Sequence, residues 1–496
     1  MQRREFLTTV VDPFRRGLTL LEQLSSGKPL QVPAGLEPYV PSAEVPWDER
    51  SAGHLLRRAG FQATKEEIEW ALTRTPQEVV ETLLRDLPLP EAPGVWVNEE
   101  PRYPPDLALD AQRMAELQRW WFRLMVESDR SLREKMVFFW HNHFTTDKDK
   151  VRTPQYHYIQ NDTFRRMVWG NIRALTRAMV SDPAMLIYLD NNENMVGKPN
   201  ENFARELLEL FTLGVGNYTE WDVVAATRAL TGWRVIGLRS VFVPQRFDDG
   251  VKTFLGQTGR WGTDDVIRII FEHPACPLFL ARKLYRFFVY AVPDERIVGQ
   301  LAQLLVQNDF ELKPVLRTLL GSAHFFDPQF YGAQIKSPLD FTVGLLRQLG
   351  IRDVEAMDYG VRAAAVLELE LLNPPTVEGW KGHRLWMTSM TLPLRQRIAE
   401  TLLDERTLRG EPLPFRVDVL AFARRFSSHH QARQFVRDVA RFLLAYPITQ
   451  EQEEWLLGEL LQGAPEYEWK LDAPNADARV RLLLKAITRL PEYQLT

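Results

Sequence analysis

"NENFARELLELFTLGVGNYTEWDVVAATRALTGW" (Asn200–Trp233) holds two consecutive helical patterns, the first opening on a group of hydrogen-bonding side chains. Leu207, Leu208, Leu210 and Phe211 recur at helical spacing and form a stripe that faces a core. Asn200, Glu201, Asn202, Arg205 and Glu206 crowd the opening turns of the same helix. A surface helix would carry Lys and Glu there, and a core helix Leu and Ala. Paired amides, acids and an arginine imply a fixed polar network. Neighbours at i, i+3 and i+4 share a face, so Asn202, Glu206 and Glu209 line one side and Glu201 and Arg205 the adjoining one. Two carboxylates one turn apart repel unless a cation, an arginine or a shared proton lies between them. The network is therefore either a latch or a ligand site. As a latch it ties this helix to the next through Tyr218, Arg228 and Trp233.

The helical period extends outward on both sides. From about 106 to 232 it runs almost without interruption, and no strand is expected there. Upstream, Thr64 with Glu67 and Thr75 with Glu78 form capping-box patterns, and Pro76 suits a first helical turn. Thr219 with Asp222 repeats the pattern inside the opening stretch. Residues 88–105 read as a Pro-rich loop. Downstream, residues 233–257 alternate apolar and polar side chains around "DDG", a hairpin signature. Helices then resume. The expected fold is all-α with one small β-hairpin near 233–257. Residues 1–26 read as an N-terminal helix and 27–50 as a Pro-rich linker or wrapping arm. Residues 51–400 read as the core domain and 401–496 as a helical extension.

Composition limits the function. The chain has 496 residues, 45% apolar and 25% charged, the profile of a globular protein. A net charge of −4, with Lys and Arg scattered, argues against nucleic acid or an anionic membrane surface as partner. No apolar run approaches the ~20 residues of a membrane span. "RREFL" near the N-terminus is similar to a twin-arginine export signal, but only "LTTVV" follows before Asp12. An export signal needs roughly 7–15 apolar residues. A cytoplasmic location is expected, with twin-arginine export as the alternative. The single cysteine, Cys276, excludes an intramolecular disulfide and a cysteine metal cluster. Its place at a helix start suggests a lowered pKa, and a small buried residue is the plainer reading.

Three further groups carry candidate chemistry. "DNNENMVGKPNE" places Asp190, Asn192, Asn194 and Glu201 at positions 1, 3, 5 and 12 of a calcium loop. Met195 stands where the sharp turn wants Gly, and Gly197 where an aliphatic residue belongs. "FFWHNHFTTD" offers His141 and His143, with Asp147 four residues on. Two histidines two residues apart diverge by roughly 200° on a helix and converge only in an extended segment. "FDDGVK" offers Asp248, Asp249 and Lys252 at a turn, and "NPPTVEGW" a rigid loop with Trp380 as a pocket wall. His429 and His430 read as surface residues.

"WHNHF", "PAMLIYLDN", "NENFARELLELFTLGVGNYTEWDV", "TRALTGW", "DDGVKTFLG", "HP…FLARKLYRFFV" and "NPPTVEGWKG" occur in an order that resembles the bacterial domain-of-unknown-function-1800 family, over about residues 50–400. The resemblance implies a mostly helical fold and a bacterial source, and assigns no activity. It also implies a partner from a neighbouring phosphatase- or sulfatase-like family. Phe247 stands where relatives commonly have His, which weakens a metal site at the hairpin. Relatives vary the spacing between the "YLDN" and "NEN" elements, which weakens the calcium-loop reading. His143, Asn200, Glu201, Asn202, Arg205, Glu206 and Glu209 match the family's polar motif.

Two functions are expected from the residues. The first is a hydrolase-like enzyme with a carboxylate–histidine site in an internal cavity. There Glu206 or Glu209 acts as base or ligand, His143 as acid or ligand and Arg205 as anion clamp. A divalent cation, Ca or another oxygen-ligated ion, is its candidate cofactor, with Asp190, Glu201 and His141 as metal ligands. The second is a non-catalytic binding or assembly protein in which the Asn–Glu–Arg network is a latch.

Overall fold

The computed structural model describes residues 35–128 and 130–496. The expected N-terminal helix over 1–26, its export-like start, and residues 27–34 of the linker lie outside the described residues. Among those described the fold is mostly helical. The first helices are α1 (Glu49–Ala59), α2 (Lys65–Leu72), α3 (Pro76–Leu83), α4 (Leu107–Val126), α5 (Arg133–His143), α6 (Pro154–Arg166), α7 (Ile172–Val180) and α8 (Pro183–Tyr188). After α9 (Asn202–Glu206) and α10 (Glu220–Ala229) come the strands β1 (Trp233–Ile236), β2 (Arg239–Phe242), β3 (Lys252–Phe254) and β4 (Gln257–Gly259). Then follow α11 (Thr263–Glu272), α12 (Ala275–Phe288), α13 (Glu295–Gln307), α14 (Leu312–Leu320), α15 (Pro338–Leu349) and α16 (Val354–Val366). The last helices are α17 (Thr391–Leu403), α18 (Val419–Arg424), α19 (Ala432–Leu443), α20 (Gln450–Leu461) and α21 (Ala476–Arg489).

Local chemistry starts these helices where the sequence places them. Thr64 and Glu67, Thr75 and Glu78, and Thr219 and Asp222 all form reciprocal capping boxes. Each box satisfies two backbone N–H groups that the first turn would otherwise leave unpaired. Among the described residues of the 106–232 stretch there is no strand, as its helical period requires. The hairpin region holds two hairpins rather than one. β1 pairs with β2, with Trp233 opposite Phe242, and β3 pairs with β4. The "DDG" turn falls between them, so the alternating pattern of 233–257 was two short ribbons in series.

Buried arginines fasten helix ends. Arg57 Nη2 donates to the Phe442 carbonyl at 2.8 Å, in the last turn of α19, and Arg58 Nη2 to that of Val289 at 3.1 Å, just past α12. Arg347 on α15 caps α4 through the Val126 carbonyl and grips Glu67 of α2 at 2.6 and 2.8 Å. A cation at a helix C-terminus meets the negative end of its dipole. The described part of the linker wraps the core, with Tyr39 N–H on the Gly321 carbonyl. Residues 401–496 pack on the same core, and the Thr496 and Gln334 backbones exchange two hydrogen bonds. Among the described residues no helix is long and apolar enough to cross a membrane. Cys276 is fully buried, and burial pushes its thiol pKa up rather than down.

Candidate functional site

The polar head of the opening helix is partly to fully exposed and does not line the cavity described below. Arg205 binds both carboxylate oxygens of Glu220 at 2.8 Å and Glu201 at 3.1 Å, on the surface. Asn202 Nδ2 donates to Asp190 at 3.0 Å, and Asp190 also pairs with Lys150 at 3.0 Å. Asn194 is fully buried at the centre. Its amide donates to Asn191 Oδ1 and the Thr227 carbonyl, and its Oδ1 accepts from Asn200 N–H. Of the three side chains expected to tie this helix to the next, Tyr218 meets the helix and Arg228 and Trp233 bond elsewhere. Tyr218 donates to Glu209 at 2.6 Å, Arg228 forks onto Asp248, and Trp233 bonds Thr263.

These bonds also account for the calcium-loop residues. Asp190 is neutralised by Lys150 and Glu201 by Arg205, while Asn192 Oδ1 accepts from Val235 N–H. Among the described residues no group of three His, Cys, Asp or Glu is arranged to hold a metal ion. Asp190, Glu201 and His141 therefore do not converge. His141 lies on the far side of α5 from His143, edge-on to Trp121, and burial lowers its pKa to about 3.

Past Glu206 the helix widens into a π-helix, Leu207–Thr212. The Leu213 N–H reaches back five residues to the Leu208 carbonyl, and Thr212 Oγ1 bonds the Leu207 carbonyl at 2.5 Å. Such turns are frequent at functional sites. This one presents the Leu210 carbonyl to Lys283 Nζ, which donates to it at 3.0 Å. Glu206 is half-buried beside it. Burial raises its pKa first, and the charge of Glu209 second.

A cavity of about 600 Å³ opens next to this turn. One wall is the α5 face Lys135, Phe138, Phe139, Asn142 and His143, spaced i, i+3, i+4, i+7 and i+8. The opposite wall is the α12 face Phe279, Lys283, Arg286 and Phe287. Ser337 and Asp340 at the start of α15, Leu210, and the loop from Glu378 to Trp386 close it. Asn142 holds that loop: its Oδ1 accepts from Trp380 N–H at 2.7 Å. Gly379 has φ +79° and lies against Asn142, so both backbone angle and space call for glycine. Trp380 is a pocket wall, stacked on Phe138 at 5.9 Å.

His143 lines this cavity. It is only 3% exposed, and neither ring nitrogen has a partner at hydrogen-bond geometry. Burial, then the charge of Lys283, hold its pKa well below the usual histidine value, opposed by the nearby Phe211 backbone. The ring is therefore neutral and keeps an acceptor nitrogen. Lys283 shows part of its surface to the cavity and is otherwise enclosed by protein. That enclosure, then the charge of Arg286, lower its pKa to about 8. Lys135 is tied to Asp340 at 2.5 Å and Lys381 to Glu378 at 2.6 Å.

Of the residues singled out from sequence, the cavity takes in His143 and Trp380, while Arg205, Glu206 and Glu209 do not line it. Lys135, Lys283, Arg286, Asp340 and Glu378 were missed. The signal for Lys135, Lys283 and Arg286 was a mixed cation–aromatic stripe at helical spacing in "KMVFFWHNH" and "FLARKLYRFF".

A family model described as "Protein of unknown function (DUF1800)" matches residues 54–495, well past the last of the recognisable motifs near residue 400. No curated protein and no solved structure matches the chain.

Proposed function

We propose, for a chain that belongs to the DUF1800 family, that the cavity between α5 and α12 is the active site of a hydrolase-like enzyme with His143 as its base. The observation that carries this reading is the buried His143 on the cavity wall: an imidazole with neither ring nitrogen at full hydrogen-bond geometry and only the Phe211 backbone as a polar contact. Buried polar groups are normally hydrogen-bonded, and the exceptions concentrate where chemistry is done. His143 takes a proton from an attacking water and returns it to the leaving oxygen. Lys283, on the facing wall, stabilises charge that develops on the attacked group. The carboxylates of this cavity are Asp340 and Glu378, in place of the Glu206 and Glu209 expected from sequence.

The test is hydrolysis of p-nitrophenyl acetate, phosphate and sulfate by the wild type and His143→Gln. The reading expects turnover of at least one ester, reduced by 100-fold or more in the variant, in line with the roughly 10²–10⁴-fold worth of general base catalysis. Turnover of none, or turnover that survives the substitution, refutes it. The alternative, a non-catalytic binding or assembly protein, is favoured by the Arg205 network alone, and that network is compatible with either function.

A further inference from the structure

We infer that the cavity's substrate is a small molecule that joins one anionic group to a flat ring, with the anion between Lys283 and Arg286 and the ring against Trp380. This rests on the reading of the cavity as an active site and names the chemistry of what enters it.

The charge of the walls is the first argument. Four cations line the cavity, Lys135, Lys283, Arg286 and Lys381, against two carboxylates, Asp340 and Glu378. Each carboxylate is taken by one cation, Lys135 and Lys381 respectively. Among the described residues Lys283 and Arg286 have no carboxylate at ion-pair distance, and Lys283 bonds only the Leu210 carbonyl. They stand three residues apart on α12, so they share a face. An ammonium beside a guanidinium is the donor set that carboxylate, sulfate and phosphate groups select.

The second argument is shape. Trp380 and Phe138 form a stacked aromatic wall, with rings inclined by 28°, and Phe279 lies 5.1 Å beneath the Lys283 ammonium. Flat apolar walls suit a ring, by offset or edge contacts. The volume, about 600 Å³, falls within the range of about 300–1,000 Å³ typical of small-molecule sites. The third argument links recognition to chemistry. After burial, the positive charge of Lys283, which shares the cavity with His143, is the second influence that opposes a proton on its ring. A bound anion cancels that charge, so the base gains strength only when its substrate is seated.

The test is calorimetric titration with benzoate, phenyl sulfate and phenyl phosphate. Benzamide and phenol serve as neutral rings, and inorganic sulfate and phosphate as ring-free anions. Wild type, Arg286→Met, Lys283→Met and His143→Gln are compared. Ring-borne anions should bind at least tenfold more tightly than either control, and the preferred anion identifies the group. Arg286→Met and Lys283→Met should each lose tenfold or more, and His143→Gln, assayed for ester hydrolysis, separates the two readings. Arg286 is exposed at the cavity rim, so its variant keeps the test sound if loss of the Lys283 bond to Leu210 weakens the fold. Neutral rings that bind equally well, or anion binding indifferent to Arg286→Met, overturn the inference. Anion binding without ester hydrolysis would sink the hydrolase reading alone. His143-dependent hydrolysis with no anion preference would sink this inference alone.

Discussion

Arg205 and Arg165 make the same kind of bidentate bond to a glutamate, and the fold predicts very different costs for losing them. Arg205 forks onto Glu220 with its side chain 30% exposed and its partner 72% exposed. Exposed ion pairs contribute about 0.2–1 kcal/mol each, so Arg205, with Glu201 as second partner, is worth about 0.5–2 kcal/mol. Arg165 is fully buried, holds Glu134 at 2.9 and 2.8 Å, and lies over Trp120 at 4.9 Å. Removing one partner of a buried pair costs about 3–5 kcal/mol, because the other charge stays buried. Arg133, 3.3 Å from Glu134, softens this and places Arg165→Met near about 3 kcal/mol. Unfolding entropy of about 2.1 cal/mol/K per residue amounts to about 1 kcal/mol/K over this chain. Scanning calorimetry should then show Arg205→Ala lowering Tm by at most about 2 °C and Arg165→Met by about 3 °C or more. Equal losses would refute the assignment of the Arg205 network to the surface, and with it the separation of latch from cavity.

Glu206→Gln should leave Tm unchanged or raise it, since it removes repulsion from Glu209 at a half-buried carboxylate; a clear loss in the same calorimeter would show a hidden cation partner. Gly379→Ala should destabilise the loop and abolish ligand binding in the cavity, because a methyl group meets Asn142 and φ is +79°; wild-type titration curves from the variant would count against the wall as described. Acid should destabilise the protein. Four buried histidines, His54, His141, His143 and His157, have folded pKa values below 6.5, the last at about 4, so the unfolded chain binds protons first. Each removes up to about 1.4 kcal/mol per pH unit as pH falls below 6.5 toward its folded value. Asp182, raised to about 7 by burial, runs the other way and gains stability as pH falls from 7. Urea midpoints measured from pH 7 to pH 4 should therefore fall, and fall less steeply in His157→Gln.

The helices were legible because their signals are local. A Thr three residues before a Glu or Asp makes the same two bonds wherever it stands, and Thr64, Thr75 and Thr219 all make them. The π-turn was not legible, since "LLELFT" has the composition of any apolar α-helical stretch and only its bonds reveal the extra residue per turn. The calcium-like spacing misled for a related reason. A side-chain oxygen from Asn192 or Asn194 looks alike in sequence whether it awaits a cation or accepts from a backbone N–H. His143 was visible as a candidate, and its isolation from His141 followed from their spacing on a helix. The cavity was hidden because its walls come from segments far apart, and nothing within α5 or α12 names the other.

That distance shapes how the protein must be handled. Lys135 meets Asp340 across 205 residues, Thr145 meets Val377 across 232, and Asn142 meets Trp380 across 238. Contacts of such separation form late and slowly, after local helices are in place. A chain caught short of them would already give a full helical signal by circular dichroism while its pocket had no walls. Helix content is thus a poor certificate for a refolded or purified sample of this protein, and the fraction of molecules able to take up a ligand is the measure of how many have finished folding.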